Sequence, residues 1–158
     1  MPNVFNAAEI IDMGIEKEKK RRDFYGRASE EFKEADLKKL FSDLRNWEDE
    51  HIKKFTGIRD SIKDAEIEES YQGEFTAYIG ALVDDKLYAH VSASSFTKNI
   101  RTPLDAIQWG IGFEKDAILF FNELLEYMPA ENKEKVKQLV EEEKKHIIYL
   151  AELRKKYL

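Results

Sequence analysis

The sequence contains no cysteine. Disulfides are therefore excluded, which is compatible with a reducing compartment. Rubredoxin-type and iron–sulfur centres are excluded as well, because both need cysteine ligands. Only three prolines and seven glycines occur in 158 residues, so the chain has few helix breakers. No run of about 18 apolar residues is present, and no helix is expected to span a membrane. Met1 to Phe5 lack a basic segment leading into an apolar run, so no signal peptide is expected. This reading places the protein in the cytoplasm. The net charge of -6 is spread as mixed-sign runs without a basic stripe, which argues against a nucleic-acid partner.

What remains is a chain that is 42% apolar and 37% charged, rich in Glu and Lys. That mixture favours long amphipathic helices over sheets or disorder. A length of 158 residues suits one domain, residues 1–158, large enough to bury a core unaided.

Four segments carry helical periodicity. The first spans about Asn6 to Phe32, with Asn6 and Glu9 reading as a capping box. Its stripe is Ala8, Ile11, Ile15, Glu18, Arg22 and Tyr25. The second spans about Asp36, a plausible cap, to the late 60s, with Gly57 weakening its far end. Its stripe is Leu37, Phe41, Leu44, Glu48, His51, Phe55 and Ile58. The third opens at Thr102-Pro103, a cap followed by a first-turn proline. Its stripe runs Ile107, Ile111, Glu114, Ile118, Phe121, Leu125 and Met128. Pro129 separates it from the fourth, about Ala130 to Lys156, whose stripe is Val136, Leu139, Glu143, His146, Leu150, Leu153 and Tyr157.

Between the second and third segments lie about thirty residues, Tyr71 to Arg101. Phe75, Tyr78, Ile79 and Leu82 suggest a short helix there, and Ser92, Ser94 and Ser95 a loop. The other two connections are short, which makes antiparallel hairpins. Two helical hairpins joined by one long crossover form an all-α, ferritin-like four-helix bundle.

Glu interrupts every one of the four apolar stripes, and in two of them His follows on the same face. A carboxylate on a core face costs several kcal/mol unless it is paired or binds a metal. Glu48-Asp-Glu-His51 and Glu143-Lys-Lys-His146 both read Glu-x-x-His, and positions three apart share a helix face. In a chain so rich in Glu and Lys, one such match is weak. The internal repeat makes it strong: Glu18 precedes Tyr25 by seven and Glu114 precedes Phe121 by seven. Each half then continues for about twenty-two residues to its Glu-x-x-His. A pseudo-two-fold pair of hairpins brings Glu18, Glu48, His51, Glu114, Glu143 and His146 together at the bundle's centre. This is the ligand pattern of two-metal carboxylate bundles. The competing reading is a buried polar network whose metal site has been lost.

At these residues the chain resembles the rubrerythrin branch of the ferritin-like superfamily. The matches are Glu18-x6-Tyr25, the segment from Trp47 to Phe55 and Glu143-x2-His146, within a resemblance covering residues 5–70 and 102–157. It implies that Glu18 and Glu114 each serve mainly one metal, that Glu48 and Glu143 bridge two, and that His51 and His146 cap them. Rubrerythrins usually add a rubredoxin domain with four cysteines, and no cysteine is present here. They also place a further Glu three residues after the third-helix ligand, where this chain has Ala117. The resemblance therefore implies the plain six-ligand form, without the Glu that serves a redox-linked metal shift in rubrerythrins. Arg21 and Arg22 also follow Glu18, and the expectation is that the arginine lies on the bundle edge with its guanidinium in water.

Other residues carry weaker signals. Tyr25 is expected to pack near the site, where its hydroxyl could support a ligand. Phe24, Phe32, Phe41, Phe55 and Phe120 read as core or helix-contact residues, and Trp47 as packing on a neighbour. His90 reads as a surface or structural histidine. Of the charged run Glu16 to Asp23, only Glu18 and one Arg are expected to turn inward. Asp12, Asp49, Asp116, Tyr78 and Tyr149 are candidates for orienting the histidines.

The function expected from the resemblance is an oxidoreductase with two Fe ions, for which Mn or Zn could substitute. It would reduce hydrogen peroxide or dioxygen with electrons from an external donor such as a rubredoxin-like protein. Alternatives are ferroxidase or iron-handling activity, a manganese catalase-like site, and a non-enzymatic bundle with a vestigial or structural metal site. A homodimer is the expected assembly.

Overall fold

The computed structural model describes residues 7–62, 95–126 and 128–158, together with residues 77, 78, 81 and 92. Among the described residues, five helices have defined bounds: α1 (Ala7–Glu31), α2 (Ala35–Ile62), α3 (Phe96–Asn99), α4 (Pro103–Leu125) and α5 (Ala130–Arg154). Among the described residues there is no strand.

The helix starts follow from local chemistry. Thr102 and Asp105 form a reciprocal capping box, each side chain accepting the other's backbone N–H at 3.0–3.1 Å, and Pro103 occupies the first turn. Asp36 was expected as the cap of α2, but the helix begins one residue earlier. The Lys38 N–H already donates to the Glu34 carbonyl at 3.0 Å, and Asp36 accepts from the Leu37 N–H at 2.9 Å inside the first turn. Gly57 does not interrupt α2. Asn6, the continuation of α2 beyond Ile62, Phe75, Ile79, Leu82, His90 and Ser94 lie outside the described residues. Of the crossover, Tyr78 is helical and exposed, Ser92 is a bend, and α3 follows directly on Ser95.

Helices α1 and α2 form one hairpin and α4 and α5 the other, with α1 lying against α4 and α2 against α5. Neighbours run antiparallel. Gly14 in the first half of α1 faces Phe120 and Phe121 near the end of α4, and Tyr25 reaches Gly110 near its start. The chain therefore leaves α2 at the end of the bundle where Ile62 packs with Leu124. It re-enters at the opposite end, where Phe96 and Ile100 pack with Phe24 and Phe41.

The apolar core is in two pieces. One contains Ile10, Ile11, Phe55, Phe120, Phe121 and Leu139, the other Phe24, Phe41, Leu44, Phe113 and Leu150. Each long helix contributes to both, and each places its Glu between its two contributions: Ile15, Glu18, Phe24 in α1, for example. The stripes therefore continue through a polar layer at mid-height. Burying side chains of this size stabilises by about 1.5–3 kcal/mol each, which is what holds a layer of charge inside the bundle. All five phenylalanines expected as core or contact residues are buried, whereas Ile118, Leu125 and Tyr157, expected on their stripes, are only partly so.

Candidate metal centre

The polar layer consists of the six residues singled out by the repeat. Glu18, Glu48, His51, Glu114 and Glu143 are fully buried and His146 nearly so. Their ligand atoms fall into two overlapping groups, Glu18, Glu48, His51 and Glu143, and Glu48, Glu114, Glu143 and His146, each within 4.8 Å of one another. Glu48 and Glu143 belong to both groups.

Both imidazoles turn Nδ1 inward. His51 Nδ1 lies 2.8 Å from Glu143 Oε1, and His146 Nδ1 lies 3.1 Å from Glu143 Oε2. The outer nitrogen of His51, Nε2, is 2.6 Å from Glu142 Oε2, and Lys54 holds the other oxygen of Glu142 at 3.1 Å. A carboxylate behind a histidine fixes ring orientation and tautomer and raises its basicity as a ligand. His146 is treated differently. Trp47 stacks on its ring at 5.3 Å and 13°, and Tyr149 stands beside Trp47 at 5.6 Å. A cleft of about 370 Å³, walled by Trp47, Tyr149, Lys54, Lys145 and Glu142, opens from the surface onto both imidazoles.

Tyr25 is fully buried and donates to Glu114 Oε1 at 2.6 Å, so its hydroxyl does support a member of the cage. Burial raises its phenol well above the ordinary value, and the charges of Glu114 and Glu48 add to this, which keeps it a donor.

Arg21 is the main departure from expectation. Its side chain is fully buried, not at the bundle edge. The guanidinium pairs with Glu18, its Nε lies 3.4 Å from Glu48 Oε1, and another nitrogen lies 3.8 Å from Glu143 Oε1. Arg22, placed on the apolar stripe by sequence, is instead the edge residue, half-buried and paired with Asp49 at 3.2 Å. The register of α1 is thus one residue off the expected stripe at this turn. Lys17 is also buried, paired with Asp116 at 2.9 Å, so three residues of the charged run turn inward rather than two. The proposed orienting residues are otherwise engaged: Asp49 by Arg22, Asp116 by Lys17 and Asp12 by Arg59. Tyr78 is exposed, and Tyr149 faces Trp47 rather than a histidine. Glu142 takes the orienting role instead. Its only sequence signal is its place immediately before Glu143, matching Trp47 before Glu48.

The electrostatics show how tightly the layer is coupled. Burial pushes the Glu18 and Glu114 carboxyls well above the ordinary range; Arg21 opposes this at Glu18, while Glu143 and Glu48 reinforce it at Glu114. Burial acts the same way on Glu48 and Glu143. At Glu48 the Arg21 charge and the neighbouring Glu18 and imidazole groups outweigh it, and at Glu143 the neighbouring Glu114 and the Arg21 charge do so. Both carboxyls are held below the ordinary range. Burial alone would lower the two imidazoles, but the acceptors around them, Glu142 first at His51 and Glu114 first at His146, raise them.

The residues fit a pair of divalent cations. Glu18 Oε2, both oxygens of Glu48 and Glu114 Oε2 are buried without a hydrogen bond. Nitrogens approach Glu48 no closer than 3.4–3.6 Å. An unsatisfied buried carboxylate oxygen is costly, and a cation shared between such oxygens removes the cost. Carboxylate with imidazole suits iron, manganese and zinc.

Fold and site together define a ferritin-like helical bundle with a carboxylate–imidazole cage at mid-height. The rubrerythrin family model matches residues 9–154, and the chain belongs to the rubrerythrin family. Among solved structures, the chain is similar to one from Thermotoga maritima described as a candidate ferritin-like diiron-carboxylate protein. That likeness has a TM-score of 0.73 and 21% identity over 99% of each chain, and carries the fold. No curated protein matches the chain. No described helix is long and apolar enough to cross a membrane.

Proposed function

We propose that the chain binds two iron ions and reduces hydrogen peroxide, or dioxygen, with electrons from an external donor such as a rubredoxin-like protein. One observation carries this reading: the two donor groups share Glu48 and Glu143 and differ in Glu18 with His51 against Glu114 with His146. Two shared carboxylates and two private pairs are what a bridged two-cation centre requires. Manganese or zinc would be accepted by the same atoms.

A bound iron pair would supply two reducing electrons and polarise the oxidant's oxygen. The chain's own residues do the rest. The two apolar clusters close the layer above and below. Glu142 locks the His51 ring, and Tyr25 holds a proton 2.6 Å from Glu114. The cleft beside Trp47 is wide enough to bring a small oxidant to the imidazole edges.

The test is metal content after anaerobic ferrous loading, followed by peroxide consumption with and without a reductant. Two ions per chain and reductant-dependent consumption are the expected results. Dismutation without reductant would identify a catalase-like site. Ferrous oxidation by a large cage, without peroxide turnover, would identify iron handling. Less than one ion per chain after loading would sink the metal reading.

A further inference from the structure

Arg21 is not explained by the cage alone. The repeat supplies Glu, Glu and His to each half, but three residues after Glu18 it places Arg21 and three after Glu114 it places Ala117. Both side chains are buried. The guanidinium meets three of the four members of the Glu18 group, namely Glu18, Glu48 and Glu143, and also approaches the Phe113 carbonyl at 3.5 Å. Of the second group it meets the two shared carboxylates. Glu114 is held by the Tyr25 hydroxyl at 2.6 Å. Arginine cannot shed its charge under these conditions. It is a permanent cation inside one of two positions built from the same ligand types.

We propose that Arg21 is the resident counter-ion of the metal-free cage, standing where a divalent cation would bind in the Glu18 group, so that the two cation positions fill unequally. This rests on the two-metal reading above. The first cation goes to Glu48, Glu114, Glu143 and His146, where the private ligand Glu114 is held by the neutral Tyr25 hydroxyl. The second reaches Glu18 and His51 only when Arg21 gives up its pair with Glu18. The cation that keeps the metal-free bundle folded is thus the one that the second metal displaces. Placed in the cage without metal, four carboxylates need such a partner; removing one member of a buried charge cluster leaves the others uncompensated. Two sites coupled in this way differ in affinity by the displacement.

The experiment titrates the metal-free protein with manganous ion, a redox-quiet probe, counting free ion by electron paramagnetic resonance. Thermal melting of the metal-free form is measured alongside. Wild type is expected to bind two ions in separable steps, the second about tenfold or more weaker than the first. Arg21→Gln is expected to lower the metal-free melting temperature by about 5–15 °C and to bring the second step close to the first. Should Arg21→Gln not fold without metal, Arg21→Gln/Glu48→Gln removes one charge of each sign and is expected to melt higher than the single variant. A double variant no more stable overturns the counter-ion role. So does an unchanged metal-free melting temperature. A weaker second step in Arg21→Gln would mean that the arginine positions Glu18 for metal, which is the opposite of displacement. Two equal steps in wild type would sink the inequality while leaving the two-metal reading intact. No bound ion in wild type would sink that reading and the displacement with it.

Discussion

The α1–α2 half and the α4–α5 half bring the same three ligand types to the cage and differ in what stands behind them. Glu18 matches Glu114, Glu48 matches Glu143 and His51 matches His146. Arg21 faces the cage where its counterpart Ala117 has no charge to offer. Tyr25 hydrogen-bonds Glu114 at 2.6 Å, whereas its counterpart Phe121 stacks on Phe55 at 4.4 Å. Trp47 covers His146, whereas its counterpart Glu142 accepts from His51. The repeat therefore builds a symmetric cage, and three breaks in it make the two positions chemically unequal. Symmetry serves the shared carboxylates, which must reach both groups. Asymmetry enters through residues that lean on one side of the cage: Tyr25 on Glu114, Glu142 on His51, Trp47 on His146, and Arg21 on Glu18 as well as on the shared carboxylates.

Removing what the halves share has the largest expected effect. Glu48→Ala or Glu143→Ala should abolish paired cation binding, read as ions per chain after anaerobic loading. The metal-free form of Glu48→Ala should also lose about 3–5 kcal/mol, because Arg21 is left short of a partner; denaturant melting checks this. Two ions still bound with unchanged spectra would mean that these carboxylates do not bridge. The close approach of α1 and α4 is the next comparison. A Cβ on Gly14 would stand 2.9 Å from a buried ring carbon of Phe120, while one on Gly110 meets Leu150 and Tyr25 at 3.3 Å. Gly14→Ala should therefore destabilise by about 1–3 kcal/mol. Gly110→Ala should stay within about 1 kcal/mol of wild type, since alanine's better helix propensity offsets a small shift. Equal melting midpoints for the two would contradict the packing asymmetry.

Tyr25→Phe makes the two halves alike at one of their three differences. Two ions should still bind, with slower turnover, and the loss of the hydrogen bond should cost about 1–2 kcal/mol. Loss of metal would instead show that the hydroxyl orders the cage. The smallest effect concerns the fastening of the second hairpin's end to the first hairpin. Asp36 accepts from Tyr157 at 2.8 Å and from Lys156 at 3.3 Å. These contacts, Tyr157 foremost, hold its carboxyl below the ordinary value of 3.8. A lowered folded value means that the stabilisation is complete above pH 3.8 and is lost as pH falls through the folded value. Asp36→Asn should lower the melting temperature slightly at neutral pH. The gap from wild type should close on acidification below 3.8; a gap that widens there would reverse the assignment.

Much of this protein was legible in its sequence because its signals are local or repeat. Helical periodicity, the Thr102-Pro103 start and the short hairpin connections specify four long helices and their pairing. Four Glu on four apolar stripes, with two Glu-x-x-His at matching places, specify the cage, since a carboxylate on a core face needs a common partner. The sequence did not determine which of two adjacent arginines turns inward. Arg21 and Arg22 differ by 100° on a helix whose charged run offers no apolar neighbour to set the register there. That choice was made by the three carboxylates arriving from α1, α2 and α5, which stabilise a buried guanidinium at Arg21 and offer Arg22 only Asp49 at the surface. Likewise Glu142 is one acidic residue among three in a row until α2 is packed beside it and presents His51. Spacing along one helix shows which side chains share a face; only the packing of the helices decides which charge meets which.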